Sequence, residues 1–180
     1  MAIPQQFNLN EGQRAERKLL ITVAEWTEVD DSGSTPVTST VREILGTRTP
    51  DSSIDYNNDI EQSTDIRGFN YTDLNKTQPQ QEFDPYLVLG GSKLGAFLND
   101  IRRRNAVSEL NQFTLYIITA YVGDSTNGYA AEKHTDCTIV YNSIGGDANV
   151  NMPITVYFSN KITTGTVDKL DDTFVFTADV

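Results

Sequence analysis

The run FTLYIITAYV, Phe113 to Val122, constrains the fold most. Successive side chains of a strand point to opposite faces, and here both alternating sets are largely apolar. Such a strand wants neighbours on both edges and cover on both faces, so it belongs in the centre of a sheet. NVNMPITVYFS, Asn149 to Ser159, makes the opposite statement. Val150, Met152, Ile154, Val156 and Phe158 fall on one side, and Asn149, Asn151, Thr155 and Ser159 on the other. That alternation predicts one face in the core and one on a wet surface.

Further extended runs surround these two. KLLITVAEW, Lys18 to Trp26, reads as the first strand, followed by the turn cluster DDSGST and a second strand over Val37 to Leu45. SSIDYNND and IEQSTDI read as two strands around an Asn57-Asn58 turn, a hairpin. Tyr129 to Tyr141 follows a GDSTNG turn, and Ile162 to Val167 and Thr173 to Thr177 complete the set. Eight Tyr and eight Phe beside two Met fit a β-rich core.

One helix is predicted, over about residues 92–105. Ser92 serves as its N-cap, and Leu94, Phe97, Leu98 and Ile101 form one apolar stripe. Arg102, Arg103 and Arg104 close it, where cations suit the carbonyl end of the helix dipole better than they suggest a phosphate site. The expected fold is therefore mainly β: a β-sandwich or partly open barrel with one flanking α-helix. At 180 residues it forms a single domain, 1–180, with an N-terminal arm of about 1–17. The polar head Gln5 to Arg17 is the segment most open to disorder.

Net charge is −11. Affinity for phosphate backbones comes from Lys and Arg, so the chain is a poor candidate for a conventional DNA binder, and an anionic membrane would repel it. The start, MAIPQQFNLNEGQ, lacks the basic and apolar regions of a signal peptide, and Cys137 alone forms no intrachain disulfide. The expectation is folding in a cytoplasm.

No chemistry-bearing motif survives inspection. In HTDC, a regular strand puts His134 and Asp136 on one face and Cys137 on the other, so at most two could meet one ion. No second His exists for a zinc set, and a Cys nucleophile would have only His134 as base. DYNND, Asp55 to Asp59, starts like a calcium loop, but Ile60 replaces the required Gly and Arg67 the bidentate Glu. The expectation is no catalytic residue, no metal and no cofactor.

What remains is TDIRGFNYTDLNKTQPQQEFDPY, Thr64 to Tyr86. Connectors in compact domains are usually about 4 to 6 residues. This strip is far longer, mostly polar, and still keeps Ile66, Phe69, Tyr71, Leu74 and Phe83.

The order of these features, with the phrases TDIRG, KTQPQQEFDPY, GGSKLGAFLNDIRRR, CTIVYNSIGG and VNMPITVYFSN, resembles a known family over about Glu43 to Lys169. It is that of the major tail proteins, or tail tube proteins, of long-tailed, siphovirus-type bacteriophages and prophages. The resemblance implies a non-enzymatic virion tail component, assembled in the bacterial host cytoplasm. Hexameric rings would stack into a hollow tube around a tape-measure protein and conduct DNA during ejection without binding it specifically. Further partners would be tail terminator and tail-tip or baseplate proteins. A long loop of about 67–85 would reach neighbouring subunits, with contacts at Phe69, Tyr71, Leu74, Phe83 and Tyr86. The alternative is a ligand- or carbohydrate-binding β-sandwich module, whose one possible Trp platform is Trp26.

Overall fold

The computed structural model describes residues 7–30 and 35–179. Most of the expected DDSGST turn and the first residues of the arm lie outside them.

Six strands form the first layer. β1 (Leu20–Asp30) lies between β2 (Val37–Ile44) and β7 (Phe113–Asp124), and β7 pairs with β8 (Gly128–Tyr141). β10 (Ile162–Val167) flanks the first half of β8 and carries the short β11 (Phe176–Ala178). The second half of β8 leaves this layer and pairs with β9 (Ile154–Tyr157), then β6 (Gln80–Phe83) and β3 (Ile54–Asp55). One long strand thus joins two layers, all pairings being antiparallel, in the order β2-β1-β7-β8-β9-β6-β3. Among the described residues the architecture is mainly β and sandwich-like with one α-helix, as the alternation patterns require.

A bulge turns β8 from one layer into the other. Phe113 is paired with Cys137 while Leu115 is paired with His134, so β8 spends one more residue than β7 there. Asp136 takes a left-handed φ of 57° at that step. Alternation slips by one, so His134 and Cys137 are both buried while Asp136 faces solvent beside Lys161. The expected shared face of His134 and Asp136 is corrected: an unbroken strand was assumed, and bulges shift the register of faces.

β7 is central and covered twice, as FTLYIITAYV demands. Leu115 and Ile117 enter one apolar cluster, between the layers, with Trp26, Ile139, Ile154 and Leu98. Tyr116 and Ile118 enter a second, on the opposite face, with Val23, Val167 and Phe174. The chain after β10 supplies that second cover. There Arg42 stacks 4.4 Å from the Phe174 ring centroid while bonding Glu25 at 2.6 Å. The last strand is displaced from the expected Thr173 to Thr177 because Asp171 takes the Thr173 amide and hydroxyl into a turn.

α1 (Lys93–Arg104) buries Leu94, Leu98 and Ile101 against the inter-layer cluster, while Phe97, half-buried, stacks on Trp26 at 5.6 Å. Ser92 accepts from the Gly95 amide as the N-cap. Glu43, reaching over from β2, accepts from the Leu94 amide at 2.9 Å, so a carboxylate sits where the dipole favours one. At the other end Arg104 pairs with Asp100 and Glu109, and Asn105 closes the helix in the left-handed region.

The described part of the N-terminal arm is tied to the body rather than free. Phe7 bridges Val122, and Asn8 donates its side-chain amide to the Ala120 and Gly123 carbonyls. Arg17 donates to the Ser52 carbonyl. The polar composition of Gln5 to Arg17 hid these bonds, because side-chain amides and guanidinium groups make them as readily as they meet water.

Candidate assembly surface

The polar strip is not an irregular loop. β4 (Asp59–Thr64) pairs with β5 (Asn70–Lys76) in a separate two-stranded hairpin, and β6 follows within the main sheet. The expected pairing around Asn57-Asn58 is thereby corrected: β3 pairs with β6, and β4 with β5. Asn57 does take a positive φ, with its amide on Asp55, but that bend leads out of the sheet instead of reversing the chain upon itself.

The tip of the hairpin is fixed by its own sequence. Asp65 Oδ1 accepts from the amides of Arg67 and Phe69 at 2.8 and 2.9 Å, and Gly68 takes a φ of 83° that a side chain would resist. Thr64 Oγ1 donates to Asn70 across the base of the turn. Isolated two-stranded hairpins are marginal in water. This one carries its own turn chemistry and little burial.

Every residue of β4 and β5 except Ser63 is exposed, on both faces. Yet Ile60, Ile66, Phe69 and Leu74 stand 56 to 105% exposed and Tyr71 50%. Scattered apolar side chains on a surface need no reason, but a group concentrated on one projecting element makes it a candidate contact surface. Phe69, Tyr71 and Leu74 are all exposed on this element. Ile60 and Ile66 join them. Ile60 was readable from pairing alone, since it stands opposite Leu74 once β4 and β5 are matched.

Phe83 and Tyr86 are a correction. Phe83 is 1% exposed, paired with Ile154 and packed beside Gly46, where a Cβ would stand 3.5 Å from its ring. Tyr86 is 5% exposed, its hydroxyl within hydrogen-bond reach of Glu43 and Ser92. Burial, with the Glu43 carboxylate adding to it against the opposing Ser92 bond, pushes this phenol well above its ordinary range. Both side chains serve the chain's own core and helix cap. Sequence position inside a polar strip concealed that β6 had already re-entered the sheet.

A second feature suits contact between copies. β2 pairs with β1 alone among the described residues, leaving its outer edge unpaired, and Val37 on it is 61% exposed. An edge of that kind is a template for another chain.

The HTDC residues form no reactive group. His134 Nδ1 lies 3.1 Å from the Ser159 carbonyl and its ring packs edge-on to Phe158. Burial pushes the Cys137 thiol up, opposite to what a nucleophilic thiolate needs. Among the described residues no set of three or more His, Cys, Asp or Glu converges as metal ligands. Trp26 is 3% exposed and offers no ring to a sugar.

Compared by sequence, the chain matches no family model and no curated protein. Compared by structure, 90% of it aligns with the whole of a chain from the 6-fold symmetrised cryo-EM structure of the anti-feeding prophage baseplate. The identity is 12% and the TM-score 0.43, a likeness too distant to bear on function.

Proposed function

We propose that the protein is a structural subunit of a phage-type tail tube. In this reading it self-assembles into hexameric rings that stack into a hollow tube around a tape-measure protein, and the tube conducts DNA. The observation that carries the reading is the β4–β5 hairpin: a projecting arm, exposed on both faces, with Ile60, Ile66, Phe69, Tyr71 and Leu74 uncovered. A free subunit gains nothing from such an arm. An assembled one buries it. The sequence resemblance described above supplies the kind of assembly, and the unpaired edge of β2 supplies a place for sideways pairing. In this reading the lumen wall of the −11 chain is acidic, and DNA slides past it without releasing counterions to it.

Negative-stain microscopy of the concentrated, purified protein tests the reading. Six-fold rings or tubes are expected. A monomer at every concentration that binds glycans would favour a carbohydrate-binding module instead.

A further inference from the structure

Resting on the arm reading, we propose that one face of the hairpin, carrying Tyr71 and two carboxylates, docks on the Arg48 cleft of the next copy. The β4–β5 register sets Glu61 directly opposite Asp73 and Ser63 opposite Tyr71. Side chains alternate along a strand, so these four share one face, while Ile60 and Leu74 take the other. Like charges directly opposite one another destabilise a strand pair. Neither carboxylate meets a cation among the described residues, and Glu61 has only the Asn75 side-chain amide at 3.5 Å. The hairpin as a whole is acidic too, with Asp59, Glu61, Asp65 and Asp73 against Arg67 and Lys76. An unneutralised pair beside an exposed ring weakens a free hairpin and suits an arm that meets a cation elsewhere.

The complement is a cleft of about 290 Å³ on which Val88, Ile144 and Val150 are exposed. One cation, Arg48, lines it, and no carboxylate does. Arg48 is in no ion pair among the described residues. Its backbone is held in a turn, at a φ of 63° with the Thr49 amide on the Gly46 carbonyl at 3.0 Å, so the cation stands on a fixed base. Arg102, bonded at 3.0 Å to the lining residue Asn99, adds positive charge at the border. Asp147, on the loop between Ile144 and Asn149, does not line the cleft.

Charge separates this cleft from its rivals. The cleft at the α1 N-terminus holds Arg42 and Lys93, but each already has a carboxylate, Glu25 and Asp172. Arg17, in the cleft beside β1, is spent on the Ser52 and Leu20 carbonyls. The cleft between β1 and α1 gathers Glu28, Asp100 and Glu109 around Arg104 and would repel an acidic arm.

Position agrees. In the layer β3-β6-β9 the hairpin leaves from the end marked by Asp55, Gln80 and Tyr157. The cleft lies beyond the opposite end, marked by Phe83 and Ile154, where Leu87 bridges Asn151 and the Val88 amide donates to the Val150 carbonyl. An arm at one end and its acceptor at the other join copies end to end along the strands. A contact between two different patches repeats from copy to copy, as a stack requires and a two-fold dimer does not.

Thiol cross-linking tests the pairing. Untagged Ser63→Cys protein, which keeps Tyr71, is mixed with tagged Asn149→Cys protein, concentrated and treated with a short bismaleimide; native Cys137 is buried and does not compete. A mixed covalent dimer is expected. Arg48→Glu in the second chain should cut its yield about tenfold, and Glu61→Lys with Asp73→Lys in the first should restore it. Ser63→Cys with Val29→Cys, on β1, should give no mixed band. A mixed band with Val29→Cys in place of Asn149→Cys overturns the acceptor, as does a dimer of the Asn149→Cys chain alone, which sets cleft against cleft. So does absence of the 63–149 band in a sample that assembles and loses assembly when the hairpin is shortened. If the hairpin-shortened chain assembles as well as the parent, or the parent never assembles, the arm reading itself falls and the acceptor with it. Circular dichroism on each variant confirms the fold.

Discussion

Ile60 and Leu74 are direct cross-strand partners on the β4–β5 hairpin, and both face water, 56 and 60% exposed. Cross-strand apolar pairs stabilise sheets because they bury one another against a layer beneath. Here no layer lies beneath. The pair makes sense as one side of a contact completed by another copy.

Replacing both with Asp should therefore leave the subunit folded and remove its assembly. Surface changes of this kind alter stability by within about 0.5 kcal/mol. Urea unfolding checks the first half, and sedimentation velocity at high protein concentration checks the second. A large loss of stability would mean that the pair supports the fold.

Phe69 and Phe83 should separate cleanly, although they lie in one sequence strip. Phe83→Ala empties a core site and should cost about 3–5 kcal/mol. Phe69→Ala should stay within about 0.5 kcal/mol. Denaturant midpoints of the two variants decide this, and equal midpoints would contradict the division of the strip into arm and core.

These two Phe residues also show what sequence could and could not reveal. Hydrophobic period was enough to find α1, with its cap and its stripe, and to place β7 in the centre with two covered faces. It failed where pairing partners decide the outcome. Phe69 and Phe83 have the same chemistry and similar polar surroundings, and only the return of β6 to β9 buries one of them. Val150 was expected inward from strict alternation but is 51% exposed, because regular pairing starts at Ile154. The bulge at Asp136 left no signal either, since Asp there reads as an ordinary polar strand residue.

That bulge should tolerate Gly better than any β-branched residue. Asp136→Gly removes an exposed ion pair with Lys161, worth about 0 to 1 kcal/mol, and relieves the left-handed backbone. Asp136→Ile keeps the strain and adds to it, about 1–2 kcal/mol. Thermal unfolding of both should rank Gly well above Ile; the reverse ranking would count against the bulge.

Alkaline stability should depend on Tyr116. Burial, then the Glu25 carboxylate 3.2 Å from its hydroxyl, push this phenol up to about 12, with Arg42 opposing. In the unfolded chain it titrates near its ordinary value of about 10. The folded pKa is the raised one, so the contribution is full below pH about 10 and falls away as pH rises towards about 12. Tyr116→Phe should flatten the stability curve over that window and delete a late step in the tyrosinate absorbance titration. An unchanged alkaline slope would show that Tyr116 ionises as freely in the folded chain.

The most direct test of the arm is to remove it and nothing else. The cut must run from Ile60 to Asn75, bridged by a short Gly-Ser turn. A deletion reaching Gln81 would strip β6, whose Gln81 is 1% exposed, from the sheet. Sedimentation velocity and negative-stain images of this variant beside the parent read the outcome. The account predicts a parent that forms rings or tubes and a shortened chain that keeps its thermal transition yet stays monomeric. Long tubes from the shortened chain would contradict it.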